Sequence, residues 1–194
     1  MTTSGKIELM APAGNFESMQ AALDNGCDSI YFGVEQLNMR ARATVNFVLD
    51  DLPEIARRCK EKNVRTYLTL NTIIYDHDLS IVKTLLTKAK EAGITAVIAS
   101  DQAVIMTART IGIEVHISTQ LNVTNIETVK FYAMFADTIV LSRELSLRQV
   151  KKITDDIEKE QVKGPSGNLV EIEIFGHGAL CMAVSGKCYL SLHS

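Results

Sequence analysis

Two cysteines, Cys181 and Cys188, stand with six residues between them in "FGHGALCMAVSGKCYL". Thiolates bind zinc and iron–sulfur clusters, so a pair in a glycine-bordered loop could supply half of a metal site. Spacing alone leaves a second reading open, in which both are small apolar residues. The other two cysteines do not complete the set. Cys59 shares an apolar helical stripe with Leu52, Ile55 and Ala56, a packing position. Cys27 sits in the turn entering the second expected strand, at the opposite end of the strands from Cys181 and Cys188.

The remaining chemistry-bearing side chains fall at the ends of expected strands. Arg40 and Arg42 follow strand two, Asn71 ends strand three, and His116, Gln120 and Asn122 follow one another at strand five. Arg143 follows strand six, and Glu173 and His177 lie at the end of strand seven. Guanidinium forks hold carboxylates or phosphates bidentately, which makes Arg40, Arg42 and Arg143 candidate substrate clamps, with Asn71, Gln120 and Asn122 as polar partners. His116, His177 and Glu173 are the candidates for moving protons. The plain alternative for such positions is a helix cap, a solvated loop or a surface ion pair.

These residues converge only if the elements place them so. Short apolar runs alternate with amphipathic helices along the chain: "KIELM", "DSIYFGV", "VRTYLTLN", "TAVIAS", "EVHIST", "DTIVLS" and "LVEIEIFG" are the strands. Asn15 and Ser146 are expected N-caps, and Gly26 and Gly93 expected helix stops. Alternation of this kind means parallel strands joined by crossover helices. Seven strands and six helices fall short of a closed eightfold barrel, which takes about 250 residues. The chain of 194 residues is therefore expected to be an α/β fold of the TIM-barrel type, incomplete, a single domain over residues 1–194 cut after strand seven and the cysteine loop. It would be the N-terminal part of a longer protein, its last strand open to self-association. An open doubly wound sheet is the runner-up, weakened because "APAGN" is not a Gly-x-Gly-x-x-Gly turn.

The composition is 46% hydrophobic and 22% charged, with net charge −3. No global basic field draws in RNA or anionic lipid. No apolar run is long enough to span a bilayer, no secretory signal is apparent, and the thiols suit a reducing compartment, so the expected location is cytoplasmic.

"EIFGHGALCMAVSGKCYLS" resembles the signature of the collagenase-like peptidase family U-32, through Glu173, Phe175, Gly178, Ala179, Leu180, Cys181, Gly186, Cys188, Leu190 and Ser191. "ELMAPAGN", "LNMRARATVNF", "STQLNVTN" and "LSRELS" are similar to the same family. The resemblance implies several activities. Some members carry a collagenase-like protease label. Others are oxygen-independent hydroxylation proteins, acting on tRNA wobble uridine with prephenate as oxygen source, on a ribosomal RNA cytidine, or in ubiquinone biosynthesis. The ubiquinone relatives hold a 4Fe–4S cluster on four cysteines, so the resemblance makes Cys181 and Cys188 two ligands, with two more expected beyond the chain end. A hydroxylase acting on tRNA or rRNA is thus the leading expectation. A peptidase is the alternative, although neither His-Glu-x-x-His nor Gly-x-Ser-x-Gly occurs. A non-catalytic cluster-bearing scaffold is the third.

Overall fold

The computed structural model describes residues 7–34, 47–178 and 183–186. Arg40, Arg42, Cys181 and Cys188 lie outside the described residues. Seven strands run in chain order: β1 Met10–Pro12, β2 Ser29–Phe32, β3 Arg65–Leu70, β4 Ala96–Ala99, β5 Glu114–Ile117, β6 Thr138–Val140 and β7 Glu171–Glu173. Six helices connect them: α1 Phe16–Asp24, α2 Leu52–Glu61, α3 Leu79–Ala92, α4 Gln102–Ile111, α5 Ile126–Ala133 and α6 Leu147–Glu160. All neighbours pair in parallel, in the order β1-β2-β3-β4-β5-β6-β7. The sheet curls into a half-barrel with helices on its convex side, the incomplete β/α barrel that the alternation of elements predicts.

The helix ends follow from local chemistry. Asn15 caps α1, its Oδ1 accepting from Ser18 N–H at 2.8 Å while Ser18 Oγ accepts from Asn15 N–H at 3.1 Å. Ser146 and Gln149 make the same reciprocal pair at α6. Gly93 and Gly112 end α3 and α4 with φ of 85° and 79°, left-handed backbone that suits glycine.

Strand alternation sorts the residues between two faces. Convex-face residues such as Ile30, Phe32, Leu68, Leu70, Val97 and Ile117 join one large buried cluster. Helix residues Met19, Ile55, Cys59, Leu86, Val104 and Ile153 fill its other side. The concave face carries a much smaller apolar cluster of Tyr67, Ala96 and Ile98, with Met10 and Tyr31 against it. Glu114, His116, Thr138 and Glu173 lie on that face too, beside the buried Val140, a share of polar side chains that parallel sheets buried on both sides do not show.

Strand seven is shorter than "LVEIEIFG" suggests. Leu169 makes an antiparallel bridge to Lys163 instead, closing the turn at residues 163–169. That turn leans on Asp137, whose Oδ1 accepts from Ser166 N–H at 3.0 Å and Ser166 Oγ–H at 2.6 Å. Gly164 is needed there, because a Cβ would lie 2.3 Å from the same oxygen.

Candidate active site

Three strands contribute to one polar row on the concave face. β5 presents Glu114 and His116 on the same side because they are two residues apart, and β7 presents Glu173. His116 Nε2 lies 3.3 Å from Glu114 Oε1, and His116 Nδ1 lies 3.9 Å from Glu173 Oε2. Side chains from strands two apart meet here because the sheet curls toward this face. The Tyr67 ring of β3 lies against the imidazole, centroids 4.5 Å apart. Tyr67 Oη donates to Glu8 Oε1 at 2.7 Å, and Glu8 also pairs with Arg65.

Burial grades along the row. The His116 side chain is 4% exposed, Glu173 23% and Glu114 42%. Nδ1 of His116 is buried and makes no hydrogen bond among the described residues. Burial pushes the Glu173 carboxyl up, opposed by His116. The Glu114 carboxyl is held down, chiefly by its hydrogen bond with His116. Burial pushes the Tyr67 phenol up to about 12, so it stays a neutral donor.

A second group of contacts pins the turn at Ala183–Gly186 to the loops after β5 and β6. Ser185 N–H donates to Glu144 Oε1 at 2.7 Å. The Arg143 backbone N–H donates to Ser185 Oγ at 3.3 Å, and its Nη2 donates to Ala183 O at 3.3 Å. Burial raises the Glu144 carboxyl, but hydrogen bonds from Ser185 and its own backbone, with Arg143 nearby, bring it below the usual range. Gly186, at φ 75°, sits so close to Gln120 that a Cβ would lie 2.3 Å from its carbonyl oxygen. The pinned turn lies in sequence between Cys181 and Cys188.

The expected site residues therefore divide. His116 and Glu173 come together. Arg143 and Gln120 both engage the 183–186 turn, and the Gln120 side-chain oxygen is buried without a partner among the described residues. Asn122, in left-handed backbone, accepts from Ser142 Oγ–H at 2.7 Å. Asn71 is half-buried just past β3, and His177 is exposed after β7. Glu114, Tyr67, Arg65 and Glu8 were not anticipated; the signal for the first three is the polar–apolar alternation of "EVHI" and "RTYLTL", while Glu8 precedes β1 in "KIELM".

The thiols divide too. Cys27 and Cys59 are free and buried on the convex side. Burial raises both, Cys59 to about 11, which suits packing rather than thiolate ligation. Among the described residues no three His, Cys, Asp or Glu side chains gather as a metal-binding group.

A curled parallel β/α sheet with ionisable groups on its concave face defines a barrel-type protein with a candidate site inside the curl. The chain belongs to peptidase family U32, whose family model matches residues 14–194. It is similar to a collagenase of Porphyromonas gingivalis, 54% identical over 187 residues, which are 96% of this chain and 45% of that protein. It is also similar to tRNA hydroxylation protein P1 of Bacillus subtilis, 31% identical over 191 residues, 97% of this chain and 42% of that protein. The chain thus spans less than half the length of these relatives. A solved structure of a U32 peptidase, Mk0906, shares the fold with a TM-score of 0.64 at 15% identity, covering 90% of this chain and 70% of that one.

Proposed function

We propose that this chain carries the barrel part of an oxygen-independent hydroxylase that modifies an RNA base, tRNA uridine foremost, with prephenate as the oxygen source. The observation that carries the reading is the setting of His116. Both of its ring nitrogens face carboxylates, at 3.3 Å and 3.9 Å. A histidine that activates a serine or cysteine keeps one nitrogen for the nucleophile. Among the described residues no serine or cysteine hydrogen-bonds either ring nitrogen of His116, and the group beside Nδ1 is Glu173, so the pair suits proton exchange with a bound substrate. The B. subtilis relative, named for tRNA hydroxylation, supports the same reading. With a net charge of −3, recognition of RNA would rest on groups near the site rather than on a global field.

A 4Fe–4S cluster fits the donor chemistry in part. Cys181 and Cys188 would hold it through two thiolates, with two further thiolates needed from elsewhere; Cys27 and Cys59 lie on the wrong side of the sheet. Such a cluster supplies one-electron transfer. Arg143 and Glu144 tie the turn between the two cysteines to the loop after β6. Arg40 and Arg42, with Arg143, are the cations proposed for the two carboxylates of prephenate.

A peptidase is the second reading, favoured by the 54% identity to a protein named collagenase. One set of experiments separates the two. Iron and sulfide are measured on the full-length protein purified without oxygen, with and without Cys181→Ala, and RNA nucleosides from a deletion strain are compared with wild type. Loss of 5-hydroxyuridine derivatives, with iron lost in the variant, is the expected result. Loss of hydroxycytidine instead would move the substrate to ribosomal RNA. Unchanged nucleosides together with cleavage of collagen by the pure protein would replace the reading with the peptidase.

A further inference from the structure

The Glu114–His116–Glu173 row does more than place an acid near a base. We propose that Glu114 is a positioning residue: it accepts from His116 Nε2–H, fixes that tautomer, and so turns the Nδ1 lone pair toward Glu173, making Glu173 the proton-carrying carboxyl of the site. This inference rests on the concave face being the reacting face, but not on which substrate is modified there.

Three observations meet in it. Nε2 is within hydrogen-bond reach of Glu114 Oε1 at 3.3 Å. Nδ1 is buried, without a hydrogen bond among the described residues, and 3.9 Å from Glu173 Oε2. The Tyr67 ring, 4.5 Å away between centroids, flanks the imidazole. A neutral imidazole carries one proton on one nitrogen, so the partner of Nε2 decides what Nδ1 can do. With Nε2 protonated toward Glu114, Nδ1 is a bare acceptor. The pull of His116 that opposes the rise of the Glu173 carboxyl belongs to the charged ring; a neutral ring with a bare Nδ1 withdraws it and leaves burial to favour the protonated form of Glu173.

The other charged groups around the row do not reverse this. Arg65 is paired with Glu8, and Glu8 accepts from the Tyr67 hydroxyl, so the positive charge on β3 is already matched. Glu114 and Glu173 are both acidic, and their mutual repulsion through the ring again favours a proton on the more buried one. That one is Glu173, with 23% of its side chain exposed against 42% for Glu114. When the Glu173 carboxyl gives its proton to an acceptor in the site, the residue is left anionic. A proton returned from water resets it, and His116 keeps its own proton throughout.

The test is the tautomer itself, read by two-bond proton–nitrogen NMR on the ¹⁵N-labelled chain, with His116→Asn assigning the signal among the four histidines. Near neutral pH the wild type is expected to show His116 protonated at Nε2 and bare at Nδ1. Glu114→Ala is expected to move the proton to Nδ1, where the Glu173 carboxylate can accept it. Glu114→Gln, which keeps a carbonyl acceptor, is expected to retain the wild-type tautomer. A wild-type His116 protonated at Nδ1, or one tautomer shared by wild type and Glu114→Ala, would overturn the proposal. None of these readouts depends on iron content or on RNA nucleosides, so this inference and the proposed reaction fail separately.

Discussion

Replacing Gly186 with alanine tests whether the 183–186 turn is held by design or merely rests on the sheet. Gly186 has φ 75°, and a Cβ there would sit 2.3 Å from the carbonyl oxygen of Gln120, a backbone atom that cannot swing aside. The left-handed backbone alone costs a non-glycine residue about 1–2 kcal/mol. The clash can be relieved only by withdrawing the turn. Withdrawal breaks the bond from the Ser185 amide to Glu144 and the bond from Arg143 to Ala183 O. A hydrogen bond to a charged partner holds about 1.5–3 kcal/mol, so the substitution consumes a large part of what keeps the turn in place. At about 1.4 kcal/mol per tenfold, the opening equilibrium should rise by roughly 5- to 30-fold from the backbone term alone. Amide hydrogen exchange at Ser185 reads that opening directly. The helices and strands β1–β6 should exchange as in wild type, since the main apolar cluster lies on the other side of the sheet. Ser185 protection within about twofold of wild type, in a folded protein, would refute the reasoning, because a local equilibrium cannot shift by that factor unseen.

Three further outcomes are expected. Burial raises the Glu173 carboxyl, so the folded state binds its proton more tightly than the unfolded state; stability from this group is full below the unfolded carboxyl value and falls as pH rises through the folded one. Glu173→Gln should therefore leave thermal stability unchanged at low pH and raise it near neutrality, as followed by melting curves across pH. Cys27 and Cys59, buried and with raised thiols, should resist alkylation in the native chain and react on unfolding, as counted by mass spectrometry. Leu86→Ala, in the core between α3 and the sheet, should cost about 2–5 kcal/mol in denaturant titrations, while Ser146→Ala at the α6 cap should cost only about 1 kcal/mol.

The frame was legible because its signals are local. Asn15, Ser146 and Gly93 announce helix ends within one turn of where they act, and each does so in the structure. The stripe of Leu52, Ile55, Ala56 and Cys59 is buried as helical spacing predicts. The polar row on the concave face was legible only in part. Strand-end positions singled out His116 and Glu173 as candidates, but not that they would meet, since the contact crosses a strand and depends on how far the sheet curls. Glu114, Tyr67 and Arg65 escaped because they sit along strands rather than at their C-terminal ends. Asp101 and Asn125, polar residues in the loops after β4 and β5, are the N-caps of α4 and α5. Type and position alone do not separate a cap from a catalytic group.

The make-up of the concave face supports the proposal that the reaction takes place there. A barrel of this kind ordinarily fills its interior with layers of branched apolar side chains. Here β3, β5 and β7 place tyrosine, histidine and glutamate at inward positions, and His116 is almost fully buried. Burying ionisable groups opposes folding unless each is paired, and the Nδ1 atom of His116 is left without a hydrogen bond among the described residues. Valine or leucine at these positions would pack the same space at less cost, as Val97 and Ile117 do on the convex side. A row of coupled acids and an imidazole, kept where apolar residues would stabilise the fold more, fits the proton chemistry proposed for this face.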